Sequence, residues 1–180
     1  MAPPSFRTLL LAHNNDEVAA SEPATLTPEQ IPRHRWVSFG GETLALSIDL
    51  TEAQRPLPTD ISNFHDIVAL HAVYTKTCLV SVTLPTYGHD VTRSNHSRIF
   101  CHLVTILNGF PRIARLEVVI RMPFENFTQL TNACHFYRLD FKAWKLFCKV
   151  GTWDVEQIHV GSQMDRRLNG WFKVNIAGSA

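Results

Sequence analysis

The chain has no C-x-x-C pair, no Gly-rich phosphate loop and no G-x-S-x-G serine setting. It also has no apolar run approaching the ~18–20 residues of a membrane span. Without the loop, nucleotide phosphates lack their usual cradle, and Gly40-Gly41 alone is a turn. Without the serine setting, a nucleophile elbow is missing. The four cysteines, Cys78, Cys101, Cys134 and Cys148, all sit inside apolar segments and read as buried free thiols in a reducing compartment. Charge is scarce as well: 18% of residues are charged and the net value is +1. That balance argues against a non-specific polyanion binder, which needs a basic surplus. Phe6–Ala12 is too short for a signal core and runs straight into Asn14-Asn-Asp-Glu17. A soluble intracellular protein, cytoplasmic or nuclear, is the expectation, and no membrane contact is expected.

What is present is a large apolar load. Of 180 residues 45% are hydrophobic, including 11 Phe and 4 Trp, enough for one domain with a real core. Asn14 to Pro32 is polar, with Pro23, Pro28 and Pro32, and reads as a linker or long surface loop. Residues 1–32 are therefore expected to form a flexible N-terminal segment and linker, and residues 33–176 a single α/β domain.

Inside the domain a unit recurs: a short apolar stretch followed by an amphipathic helical pattern. The stretches are Thr43–Leu50, Cys78–Leu84, Arg115–Met122 and Trp144–Val150. Taking Leu44, Leu79, Leu116 and Leu146 as equivalent positions, the spacings are 35, 37 and 30 residues. Strands alternating with helices at that interval build a layered α/β sheet or an α/β repeat. His34–Phe39 and Leu44–Leu50 around Gly40-Gly41 have the look of a hairpin. Asp60 or Ser62 caps a helix bearing Phe64, Ile67, Val68 and His71, and Ser94 or Asn95 caps one bearing Ile99, Leu103, Ile106, Leu107 and Phe110. Asn126 caps a third, and Ser162 with Asp165 opens a last one. Arg115–Met122 is nearly all apolar, which fits cover on both faces or on one face plus an edge. Val155–Val160 fits an added strand. The order from residue 42 is β-α-β-α-β-α-β-(β)-α, which favours parallel pairing through right-handed crossovers.

At Phe110–Ile120 and Leu79–Pro85 the chain resembles the ascending part of a leucine-rich repeat, where an apolar anchor and an alternating strand recur after each helix. Together these stretches resemble the irregular leucine-rich-repeat-like regions of F-box-type proteins, notably uncharacterised ones of filamentous fungi. The resemblance implies an adaptor that presents a substrate to a ubiquitin ligase.

Candidate chemistry is thin. Cys101-His102 and Cys134-His135 offer thiolates and imidazoles for zinc, but successive helical residues point about 100° apart, so packed thiols fit better. His65-Asp66 and His89-Asp90 resemble a metal-dependent phosphohydrolase pair without the rest of a ligand set. Alternation in Trp144–Val150 puts Trp144, Leu146, Cys148 and Val150 on one side and Lys145, Phe147 and Lys149 on the other. Arg166, Arg167 and Trp171 offer residue types common at binding hot spots.

The fold expected is thus α/β: a mostly parallel sheet of four to five strands with helices mainly on one face, irregular and leucine-rich-repeat-like. The alternative is a ferredoxin-like α+β sandwich. The function expected is a non-catalytic protein-interaction module with no cofactor and no metal. Its partner is another protein, met by Lys145, Phe147, Lys149, Arg166, Arg167 and Trp171. The alternative is a single-stranded nucleic-acid-binding module using an aromatic and basic sheet face, and a small hydrolase or metal enzyme is least favoured.

Overall fold

A computed structural model describes residues 26–51, 58–85 and 90–177. Phe6–Ala12, most of the polar N-terminal stretch and His89 lie outside them. The polar stretch expected as linker through residue 32 packs onto the domain at its end. There Pro28–Gln30 form a 3-10 turn, Ile31 is buried, and the Tyr74 hydroxyl donates to the Leu26 carbonyl at 2.6 Å.

Six strands form one mixed sheet in chain order. They are β1 (Val37–Gly40), β2 (Thr43–Asp49), β3 (Thr77–Thr83), β4 (Arg115–Met122), β5 (Trp144–Val150) and β6 (Glu156–Ile158). The central four are parallel, and β1 and β6 add antiparallel edges. The sheet therefore has six strands rather than four or five, because each edge carries a short extra strand that shields the parallel ladder. Among the described residues the α-helices are α1 (Pro58–Leu70), α2 (Asp90–Asn108), α3 (Phe127–Leu130), which runs into a 3-10 helix over Thr131–Arg138, and α4 (Gln163–Asn175). A ferredoxin-like sandwich would require antiparallel, interleaved strands, and the parallel chain-order sheet rules it out.

The β1–β2 hairpin turns at Gly41 and Glu42, with φ of 55° and 64°. Positive φ at both positions is the turn whose twist matches paired strands. The Glu42 carbonyl accepts from the amides of Lys76 and Thr77, and its carboxylate pairs with Lys76 Nζ at 2.8 Å, so the turn anchors the start of β3.

Alternation sets the two faces. Leu44, Leu46 and Ile48 of β2, Cys78, Val80 and Val82 of β3, and Leu116, Val118, Ile120 and Met122 of β4 are all buried. They meet Phe64 and Val68 of α1, Phe100, Leu103 and Leu107 of α2, Phe136 of the 3-10 helix and Leu168 of α4. The register corrects the assumed equivalence of the four leucines. Leu44 aligns with Cys78, Leu116 and Trp144, while Leu46 aligns with Val80, Val118 and Leu146. Leu79 points the other way and is 36% exposed. β4 is likewise covered on one face only, since Glu117, Val119 and Arg121 lie on the opposite side.

α2 begins at Asp90, a turn before the expected caps Ser94 and Asn95. Asn126 does cap α3, accepting from the Gln129 amide. The helix then tightens to 3-10 geometry. Thr131 Oγ1 and Asn132 Nδ2 donate to carbonyls three residues back, at 2.6 and 2.9 Å, competing with the α-helical ladder.

Candidate interaction surfaces

Among the described residues, one sheet face is left without helices. Thr43, Ala45, Ser47 and Asp49 of β2 stand beside Thr77, Leu79, Ser81 and Thr83 of β3. Next come Arg115, Glu117, Val119 and Arg121 of β4, then Lys145, Phe147 and Lys149 of β5. The register gives this face cross-strand rows. One runs Ala45–Leu79–Glu117–Lys145, the next Ser47–Ser81–Val119–Phe147, and the third Asp49–Thr83–Arg121–Lys149. Neighbouring Cβ atoms in such rows lie close enough to act together. Leu79, Val119 and Phe147 thus form an apolar centre between bases. Arg121 is held in place by donating from Nε to Ser81 Oγ at 2.9 Å, and Arg115 pairs with Glu117 at 2.8 Å.

The six residues expected at a partner surface do not come together. Lys145, Phe147 and Lys149 lie on the open face. Arg166, Arg167 and Trp171 belong to α4, which packs on the covered side: Leu168 is fully buried, and the Leu168 carbonyl accepts from Cys134 Sγ. Trp171 packs against the core cluster. Arg166 donates to the Gly161 carbonyl at 3.0 Å, and the Arg167 guanidinium sits 4.2 Å over the Phe127 ring. Trp144 also faces the covered side, edge-on to Tyr137.

Cys101-His102 lies on α2 and Cys134-His135 on the 3-10 helix packed against it. Cys134 is fully buried and burial pushes its thiol up to about 12, as it does for Cys78. His65 is buried with Nε2 3.3 Å from the Ile99 carbonyl. Among the described residues no group of three or more His, Cys, Asp or Glu side chains is placed to hold a metal ion. No helix among them is long and apolar enough to cross a membrane.

A second concavity was not foreseen. A cleft of about 510 Å3 opens on the covered side, beyond the C-terminal ends of β4 and β5 and between the first turns of α3 and α4. Met122, Cys148, Val150 and Met164 line it, and Trp153, Glu125, Asp154 and Glu156 stand around it. Of these, Met122, Cys148 and Val150 are legible in the sequence as strand residues, and nothing local points to the cleft, because it is assembled from segments far apart in the chain.

Set beside known protein-family models, curated proteins and solved structures, the chain matches none.

Proposed function

We propose that this domain is a non-catalytic protein-recognition module that presents the open face of its sheet to another protein. The observation that carries this reading is the one-sided cover, among the described residues, of a sheet whose strands follow chain order. It leaves Leu79, Val119 and Phe147 beside Arg115, Arg121, Lys145 and Lys149. Those four bases face two acids, Asp49 and Glu117, so the face has a basic bias around an apolar centre. A partner segment with an apolar side chain flanked by carboxylates complements it. The leucine-rich-repeat resemblance is supported by strands that follow one another in parallel with helices between them. In place of the repeat's asparagine, Pro85 and Pro123 follow Leu84 and Met122. An adaptor for a ubiquitin ligase is one form this recognition would take.

The nucleic-acid alternative draws less support. Single strands stack on two or three sheet aromatics, and Phe147 is the one aromatic among the strand residues of the open face.

The test is a triple variant, Lys145→Ser, Phe147→Ser and Lys149→Ser. A partner is trapped by crosslinking from the open face, purified, and its affinity measured for both chains. Loss of more than about tenfold is expected, with an unchanged melting temperature. Unchanged affinity removes the open face as the docking surface, and RNA binding with a steep salt slope transfers it to the alternative.

A further inference from the structure

We propose that the cleft beyond β4 and β5 is a second docking site, and that it takes a partner segment in which an apolar side chain neighbours a lysine or arginine. Its lining supplies the apolar half: Met122 and Val150 end their strands here, and Met164 and Phe127 wall it from the helices. Trp153 stands at its edge 68% exposed, a large apolar surface of the type that dominates binding energy when covered.

The charge around it supplies the other half. Glu125, Asp154 and Glu156 line the cleft, all exposed, and among the described residues their carboxylates have no hydrogen-bond or ion-pair partner. The guanidinium present, that of Arg167, lies over the Phe127 ring. Three carboxylates against one cation make the cleft negative in a chain whose net charge is +1. That sign selects a basic ligand and rejects phosphates and nucleic acid. An ammonium or guanidinium entering here meets both the carboxylates and the Trp153 ring face, and the two attractions add. The loop that carries Trp153 is tied to the strand ends by two backbone hydrogen bonds. Gly151 N donates to the Met122 carbonyl at 2.8 Å, and Trp153 N donates to the Val150 carbonyl at 3.0 Å. The site is thus preorganised, with its tryptophan already displayed. It lies on the opposite side of the sheet from Lys145, Phe147 and Lys149, so it is independent of the open face.

The test uses the full chain and an end-capped peptide of alternating leucine and lysine, beside a twin with glutamate for each lysine. Calorimetry measures binding and backbone amide shifts locate it. The lysine peptide is expected to bind and to shift the amides of Met122, Cys148, Trp153 and Met164. Trp153→Ala, and separately Glu125→Gln with Glu156→Gln, each weaken it by about tenfold or more. All three side chains are exposed, so these variants keep the fold, and the triple variant of β5 keeps the binding. The proposal fails if the lysine peptide does not bind, if the glutamate twin binds equally, if Trp153→Ala leaves affinity unchanged, or if the shifts fall on the open face.

Discussion

Ser97 Oγ and His135 Nε2 lie 2.7 Å apart across the contact between α2 and the 3-10 helix. A serine against an imidazole invites a catalytic interpretation, but the surroundings oppose it. Among the described residues His135 Nδ1 is buried with no partner, where a hydrolase places the carboxylate that orients the ring. Burial, reinforced by the Arg138 charge, lowers the His135 pKa to about 4, far from the value that suits a general base at neutral pH. The pair is a hydrogen bond that ties two helices together.

Acid should therefore unfold this protein early. His34, His65, His71, His96 and His135 all have lowered pKa values, with burial the first cause in each. A histidine whose folded pKa lies below its unfolded one favours the folded state when neutral. The contribution is complete above the ordinary value of 6.5 and is lost as pH falls through it toward about 4 for His135. Urea midpoints measured from pH 8 to pH 4 should be flat at first and then drop. The His135 share is on the order of 3 kcal/mol. His135→Gln should cost about 1–2 kcal/mol at pH 7 yet make the acid slope shallower. An unchanged slope would remove His135 from the transition.

The helical layer should be most sensitive where Phe100 meets Phe136, with ring centroids 5.6 Å apart and both side chains fully buried. Phe136→Ala removes the ring that joins α2 to the 3-10 helix. It should cost about 3–5 kcal/mol in equilibrium unfolding, the usual range for such a cavity. A loss below about 1 kcal/mol would mean that the site collapses to fill the void.

Much of this layer was legible because it obeys short periods. Alternation in Trp144–Val150 separates its covered side from its open side, Gly40-Gly41 marks the hairpin, and Asn126 and Ser162 sit where their side chains accept from the third residue on. Illegible features are those in which local pattern and tertiary placement part. Leu79 is as apolar as its neighbours but serves the open face, and Cys78 takes the core position. The first turn of α2 is too polar to show a stripe. Whether α4 docks beside the open face or behind it is decided by Leu168 and its contacts, to which no local period points. The same holds for the cleft, whose residues run from Met122 to Arg167.

Gly151 gives a sharper test of the loop between β5 and β6. Its φ is 52°, and a Cβ there would meet the Pro123 carbonyl oxygen at 3.1 Å. Both the backbone and the space argue against a side chain. Gly151→Ala should destabilise by about 1–2 kcal/mol and shift the amide signals of Met122 and Trp153, whose hydrogen bonds flank it. A wild-type melting temperature would show that the turn adapts without strain.

The last prediction concerns how α4 is held. The Tyr137 hydroxyl donates to Asp165 Oδ1 at 2.6 Å, and the Gly161 amide donates to Asp165 Oδ2 at 2.8 Å. Asp165 N in turn donates to Ser162 Oγ at 3.1 Å. The expected capping box is thus displaced: the acid returns to the amide of residue 161 rather than to that of the capping serine, leaving its other oxygen for the phenol. Burial first, and then this carboxylate, push the Tyr137 pKa far up, so the donor stays protonated. Hydrogen bonds to charged groups contribute about 1.5–3 kcal/mol. Tyr137→Phe and Asp165→Asn should each destabilise, Asp165→Asn more because it also weakens the bond from the Gly161 amide. A double-mutant cycle should give a coupling of about 1 kcal/mol or more. Additive losses would show that Tyr137 holds α4 through its ring, stacked on Phe172, and not through its hydroxyl.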